Sequence, residues 1–247
     1  LFRSKKISHK NLSLALPNIN KSERDKIINN MWVNYGKIFS EYMFIKKFRL
    51  NAEFSRKIIV ENQEELEKIK SQKKPVIFIS GHFNNFELMA MHLEKSDIDL
   101  AAVYRPLNNK FLNPIMERIR KKYICKKQIK KGISGTKELL KEFKKGTSIA
   151  LMIDQRVSEG IKSNLFGKEA LTTTIPAQFI KKFDASVVPM HIERLVDDTF
   201  KLKIQGSIKF SNDETVNEIT QKLNKILEKM IMTNPDQWIW THNRWKI

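Results

Sequence analysis

Residues 73–93 read KKPVIFISGHFNNFELMAMHL, and three kinds of local order follow one another inside them. Pro75 to Ser80 is a short, β-rich apolar run of the kind buried on both faces of a parallel sheet. Gly81 interrupts it and lets the backbone turn. From Asn84 the apolar spacing becomes helical, with Phe86, Met89, Ala90 and Leu93 on one face. Asn84 suits the N-cap of that helix. The stretch therefore reads strand, turn, helix, with His82 in the turn and Glu87 five residues on. Open α/β sheets carry their chemistry at such strand ends. On one continuous helix, residues five apart point about 140° apart. The two side chains meet only if His82 precedes the helix and Glu87 lies in its first turn. A carboxylate there would fix the histidine tautomer and stabilise the imidazolium. The helix N-terminus would offer N–H groups to an oxyanion. Spacing alone fits a structural pair equally well. His92 and Asp97 repeat it with no strand or glycine in front, and His92 reads as a helix-surface or packed residue.

Outward from this stretch, two more apolar runs end in polar residues. Ile98 to Tyr104 ends in Arg105-Pro106, and Ser148 to Ile153 ends in Asp154-Gln155-Arg156. An arginine at a strand end suits a phosphate or an oxyanion, and equally a surface ion pair. The convergence of His82, Arg105 and Asp154 on three strand ends is more specific than any one of them. Other expected elements are a helix or helix pair over 22–50, with a capping box at Ser22 and Asp25, a polar helix over 61–72, and a helix over 111–122. A short strand follows over 124–129, then a helix over 134–145. Residues 158–172 read as a loop, with a helix over 175–183 capped by one of Thr172, Thr173 and Thr174. Two strands over 186–208 turn at Asp197-Asp198, and a helix spans 213–232. Trp238, Trp240 and Trp245 in the tail suit packing on the core or, less simply, a lipid interface. The segment YMFIKKF at 42–48 suits packing or a membrane interface. The fold class expected is α/β, with a mixed, largely parallel central sheet flanked by helices. An N-terminal basic segment and helical arm occupies 1–50, and an α/β domain 51–247.

The chain has 247 residues and 41% hydrophobic content, enough for a substantial core. One cysteine, Cys125, excludes an internal disulfide. No Cys/His cluster has zinc spacing. There is no Gly-rich phosphate loop and no G-x-S-x-G elbow. No apolar run reaches the roughly 18–20 residues of a membrane span. The net charge is +19. It points to an anionic partner (membrane headgroups, phosphorylated lipid, acidic protein or nucleic acid) or to a lysine-rich compositional bias. The charge is spread along the chain, which argues against a specific nucleic-acid groove.

The ordered set GHFNNFE at 81–87, YRPLNN at 104–109, DQ at 154–155, LFGKEALTTTIPAQF at 165–179, VVP at 187–189 and NPDQWIWTHNRWK at 234–246 resembles the bacterial lipid A biosynthesis acyltransferases. These belong to the wider lysophospholipid acyltransferase superfamily. The segment NLSLALPNINKSER at 11–24 resembles the stretch that follows the family's membrane anchor. The resemblance implies acyl transfer from acyl carrier protein to a hydroxyl of a phosphorylated lipid A precursor, without cofactor or metal. It implies His82 as general base and Glu87 as its orienting partner. Arg105, Asp154, Asn84, Gln155 and Thr173 would bind substrate or the tetrahedral intermediate. The expected setting is an anionic membrane surface, at the cytoplasmic face of the inner membrane, through an anchor upstream of Leu1. Ile175 departs from the family's usual glycine, and Lys182 to Ala185 from its usual Gly-Ala turn. Both border the expected acyl groove. Three other readings remain: the same chemistry on another glycolipid, such as a phosphatidylinositol mannoside with acyl-CoA; a basic nucleic-acid-binding protein; and a catalytically inactive lipid-binding module that keeps the fold.

Overall fold

The computed structural model describes residues 5–246. The first four residues of the basic N-terminal segment lie outside them. The strand at the centre of the quoted stretch, β2 (Ile77–Ser80), has all four residues buried. It is sandwiched between β5 (Ser148–Met152) and β8 (Val187–Arg194), both parallel to it. The seven-stranded sheet has the order β1-β9-β8-β2-β5-β3-β4, where β1 is Ile58–Glu61, β3 Leu100–Tyr104, β4 Lys127–Lys130 and β9 Phe200–Ile204. From β8 to β4 every neighbour is parallel; β9 is antiparallel to β8, and β1 follows β9. The mixed, largely parallel sheet is as the apolar runs implied.

The N-terminal helices are α1 (Lys5–Ala15), α2 (Lys21–Glu41), a 3-10 turn at 42–44, α3 (Ile45–Leu50) and α4 (Ala52–Arg56). Their Leu12, Ile28, Met31, Ile45 and Phe48 join the core cluster of the sheet. The box that opens α2 is Asn20 with Glu23, one turn of side-chain and backbone reciprocity, rather than Ser22 with Asp25. The remaining helices are α5 (Glu64–Gln72), α6 (Glu87–Lys95), α7 (Leu112–Tyr123), α8 (Ile133–Lys144), α9 (Ile175–Phe183) and α10 (Val216–Thr233). Thr215 and Glu218 cap α10 reciprocally. Among the described residues no helix is long and apolar enough to cross a membrane.

A further expectation changes. Residues 158–172 contain a hairpin, β6 (Ile161–Leu165) and β7 (Lys168–Thr172), turning at Phe166 and Gly167, both at positive φ. That is the backbone of a tight, twisted hairpin turn. It sits on α10, where Gln221 and Asn224 bond its edge. The tail packs on the core: Trp238, Trp240 and Trp245 are all buried.

Candidate active site

Sheet register assembles the site. Ser80 of β2 pairs with Met152 of β5, and the Ile153 N–H donates to the Ser80 carbonyl at 2.9 Å. Two residues further along each chain, His82 and Asp154 face one another. His82 Nδ1 lies 2.7 Å from Asp154 Oδ1, and the His82 backbone N–H donates to Asp154 Oδ2 at 2.8 Å. Trp238 Nε1–H donates to the same Oδ2 at 2.8 Å. Asp154 is buried, and burial alone would raise its pKa. The His82 charge, the two His82 bonds and the Trp238 bond outweigh burial and bring the carboxyl down to about 2. An ionised carboxylate only accepts, so in the neutral imidazole Nδ1 carries the proton and Nε2 keeps its lone pair. Nε2 lies 3.4 Å from the Gln155 side-chain amide. The imidazole is 19% exposed, and its edge contacts Phe86. It is thus fixed in tautomer and open on one side.

Glu87 is not the partner of His82. The helix starts at Glu87, three residues later than the spacing implied, and Glu87 turns toward α7. Arg120 Nε and Nη2 donate to its Oε1 at 2.8 and 2.6 Å, and the Tyr42 hydroxyl donates to the same oxygen. Burial first, then the Glu87 charge, raises the Tyr42 pKa. Burial works against the Arg120 charge, but Glu87 and Tyr42 more than compensate and keep the guanidinium ionised. Asn84 is not an N-cap either. It is fully buried at φ 42, a left-handed conformation that asparagine tolerates. Its amide donates to Gln237 and to the Ile192 carbonyl at 3.3 Å, so it faces the interior rather than a substrate. Gly81 owes its place to a close approach: a Cβ there would lie 2.9 Å from the Phe83 ring and 3.1 Å from Leu227.

The turn is braced from both ends of the chain. On one side, the Asn84 N–H donates to the Gln237 carbonyl at 3.1 Å, and Phe83 forms a backbone bridge with Trp238. On the other, the Asn85 amide donates to Glu41 at 3.0 Å. The N–H groups of residues 82, 83 and 84 are therefore committed to Asp154, the Gly81 carbonyl and the Gln237 carbonyl. These three N–H groups are not free for an oxyanion, and the Gln155 side-chain amide stands beside Nε2 as a donor.

Arg105 stands at the end of β3, beside Lys131, whose N–H donates to the Tyr104 carbonyl at 2.8 Å. With Arg156, Ser158, Glu159 and His242 they line a cavity of about 520 Å³. Burial and the like charge of Arg105 lower the Lys131 pKa, against the pull of Glu159. Among the described residues the Arg105 and Lys131 side chains make no hydrogen bond or close ion pair. With Arg156 they outnumber the one carboxylate of the lining, Glu159, and favour an anionic occupant. The Thr173 hydroxyl accepts the Ile175 N–H at 3.3 Å at the start of α9. The structure thus groups His82, Asp154 and Gln155, with Arg105 at the adjoining strand end; Glu87, Asn84 and Thr173 bond other groups. Sequence reasoning missed Trp238, Lys131, Arg120 and Tyr42 as members of the site and its braces. The tail motif containing Trp238 was the one available signal.

A family profile described as bacterial lipid A biosynthesis acyltransferase matches residues 1–247. The lipid A biosynthesis palmitoleoyltransferase of Escherichia coli (strain K12) is 26% identical over 254 residues, covering 100% of this chain and 80% of the relative. The lauroyltransferase of the same organism is 26% identical over 257 residues, covering 99% and 79%. The crystal structure of the 1-acyl-sn-glycerophosphate acyltransferase PlsC from Thermotoga maritima aligns at a TM-score of 0.46 and 14% identity, covering 95% of this chain and 97% of that one. With its whole length matched and a buried carboxylate–histidine pair at the central strand ends, this chain belongs to the bacterial lipid A biosynthesis acyltransferase family.

Proposed function

We propose that this enzyme moves a fatty acyl chain from acyl carrier protein to a hydroxyl of a phosphorylated lipid A precursor, with His82 as general base and Asp154 as its orienting carboxylate. The observation that carries the reading is the 2.7 Å contact between His82 Nδ1 and Asp154, which leaves Nε2 available on the open side of the ring. His82 Nε2 takes the proton of the acceptor hydroxyl as its oxygen attacks the thioester carbonyl. The Asp154 charge stabilises the imidazolium that results. The carbonyl oxygen becomes an oxyanion, for which the Gln155 amide and Arg105 are the available donors. Collapse of the tetrahedral intermediate forms the new ester and expels the carrier thiolate, which recovers the proton from Nε2. No covalent enzyme intermediate is required. Arg105, Lys131 and Arg156 would hold a phosphate of the acceptor in the 520 Å³ cavity. Acyl carrier protein is acidic, and the +19 charge favours its approach.

The test is transfer from acyl-loaded carrier protein to a Kdo-bearing tetraacylated precursor, followed by mass spectrometry. A gain of one acyl chain, reduced about 10²-fold or more in His82→Ala, is expected. Undiminished transfer by a folded His82→Ala protein would remove the base. Transfer only from acyl-CoA, or only to another glycolipid, would change the substrates and leave the chemistry.

A further inference from the structure

Helix α7 has an apolar face at helical spacing, yet none of its residues is buried. Phe111, just before it, is 88% exposed; Leu112 is 49% exposed and Ile115 55%. Residues 111, 115, 118 and 122 follow at intervals of three or four and so share one side. The exposed stripe runs from Phe111 and Ile115 to Arg118 and Lys122, with Leu112, Pro114 and Lys121 beside it. Ile119, one turn after Ile115, and Tyr123 form the edge of the apolar face that packs against the core. The acid of this helix, Glu117, is taken up by Tyr104 and Asn113 at 2.7 and 2.8 Å. Arg118, Lys121 and Lys122 make no ion pair among the described residues.

We infer that α7 is a docking helix for an anionic lipid surface. The first half of its stripe is apolar and the second half is cationic. That division lets Phe111, Leu112 and Ile115 enter the acyl boundary while the three cations meet headgroup phosphates. Charge complementarity selects an anionic surface over a neutral one. The position of the helix supports the same occupant: α7 follows directly on the Arg105–Asn109 exit of β3, at the cationic cavity. The Arg120–Glu87 pair ties α7 to the catalytic turn, so docking orients the site as well as holding it. The inference rests on the proposed acyl transfer only for the identity of the lipid drawn into the site.

The experiment is co-sedimentation of the 247-residue chain with vesicles of phosphatidylcholine alone and of phosphatidylcholine containing phosphatidylglycerol. The wild type is expected to partition onto the anionic vesicles. F111S/I115S and R118Q/K121Q/K122Q should each weaken partition about tenfold or more. All three proteins should keep equal acyl transfer to detergent-dispersed acceptor. These residues are exposed, and circular dichroism checks that the fold survives. Equal partition of F111S/I115S and wild type would overturn the inference. So would intact vesicle binding alongside lost binding of acidic acyl carrier protein in R118Q/K121Q/K122Q, which would make α7 a protein-docking face. Vesicle partition that obeys the expectation, with no acyl transfer by any variant, would uphold the docking helix and count against the proposed reaction.

Discussion

His82 owes its tautomer to Asp154, and Asp154 owes its charge to the groups around it. Trp238 supplies one of these through a 2.8 Å bond to Oδ2. Bonds of this kind, to a charged acceptor, contribute about 1.5–3 kcal/mol. Trp238→Phe keeps the bulk and deletes the donor, so it should raise the Asp154 pKa from about 2 and lower kcat about tenfold, with KM nearly unchanged. Steady-state kinetics that return wild-type kcat would reduce Trp238 to a packing residue. The sign of the Asp154 effect on stability follows from its low value. Against about 3.9 in the unfolded chain, its pairing contributes stability above pH 4 that is lost as pH falls toward 2. At this level the sequence announced the three strand ends but not the pairing. Proximity along the chain favoured Glu87 as the partner of His82. Sheet register supplied Asp154 instead, 72 residues away. No local periodicity encodes which strand will lie beside β2.

The turn after β2 is one element held by two distant ones. The end of α2 reaches it through Glu41 and Asn85, and the tail reaches it through Gln237 and Asn84. Glu87 extends the brace to α7 through Arg120. Glu87→Gln would leave Arg120 buried without its counter-charge. Breaking one side of a buried pair costs about 3 kcal/mol or more, and that loss should appear as a lower urea midpoint. Turnover should fall with the loosened turn. Turnover lost with the urea midpoint unmoved would instead show Glu87 acting on His82 directly. The central strands and most helices were legible because their apolar spacing is unambiguous. The hairpin over 161–172 was not: KSNLFGKEALT lacks clean alternation, and its turn is Phe-Gly rather than Asn-Gly or Asp-Gly. Edge strand β1 was missed for a similar reason: it is only four residues long and none of them is fully buried. Helix α6 begins late because Asn84 takes a left-handed conformation that no spacing rule anticipates.

Across the whole molecule, buried His191 and partly buried His92 weaken the fold in acid. Burial, aided by Lys95, lowers His92 to about 4; burial, aided by Lys201 and Lys203, lowers His191 to about 4. Both are neutral in the native state at pH values where the unfolded chain binds protons. Stability is therefore complete above about pH 6.5 and falls as pH drops toward 4, by roughly 3 kcal/mol for each histidine. Urea unfolding at pH 7 and pH 5 should show the loss, and H92Q/H191Q should flatten it. A wild-type midpoint that stays constant over this window would contradict the assignment. The sequence marked His92 as an unremarkable helix residue, and the structure keeps it so, bonded to Gln63 at 2.9 Å. The +19 charge was visible from composition, but its placement was not. Folding places part of it at Arg105, Lys131 and Arg156 and part along α7.

The decisive measurement is the turnover of Asp154→Asn with saturating acyl carrier protein donor and phosphorylated acceptor. If Asp154 holds the His82 tautomer and stabilises its imidazolium, kcat falls about 10²-fold or more, KM stays within a few-fold, and cooperative unfolding is retained. Near-wild-type kcat in a folded Asp154→Asn protein would contradict the pairing and return the role of orienting carboxylate to Glu87.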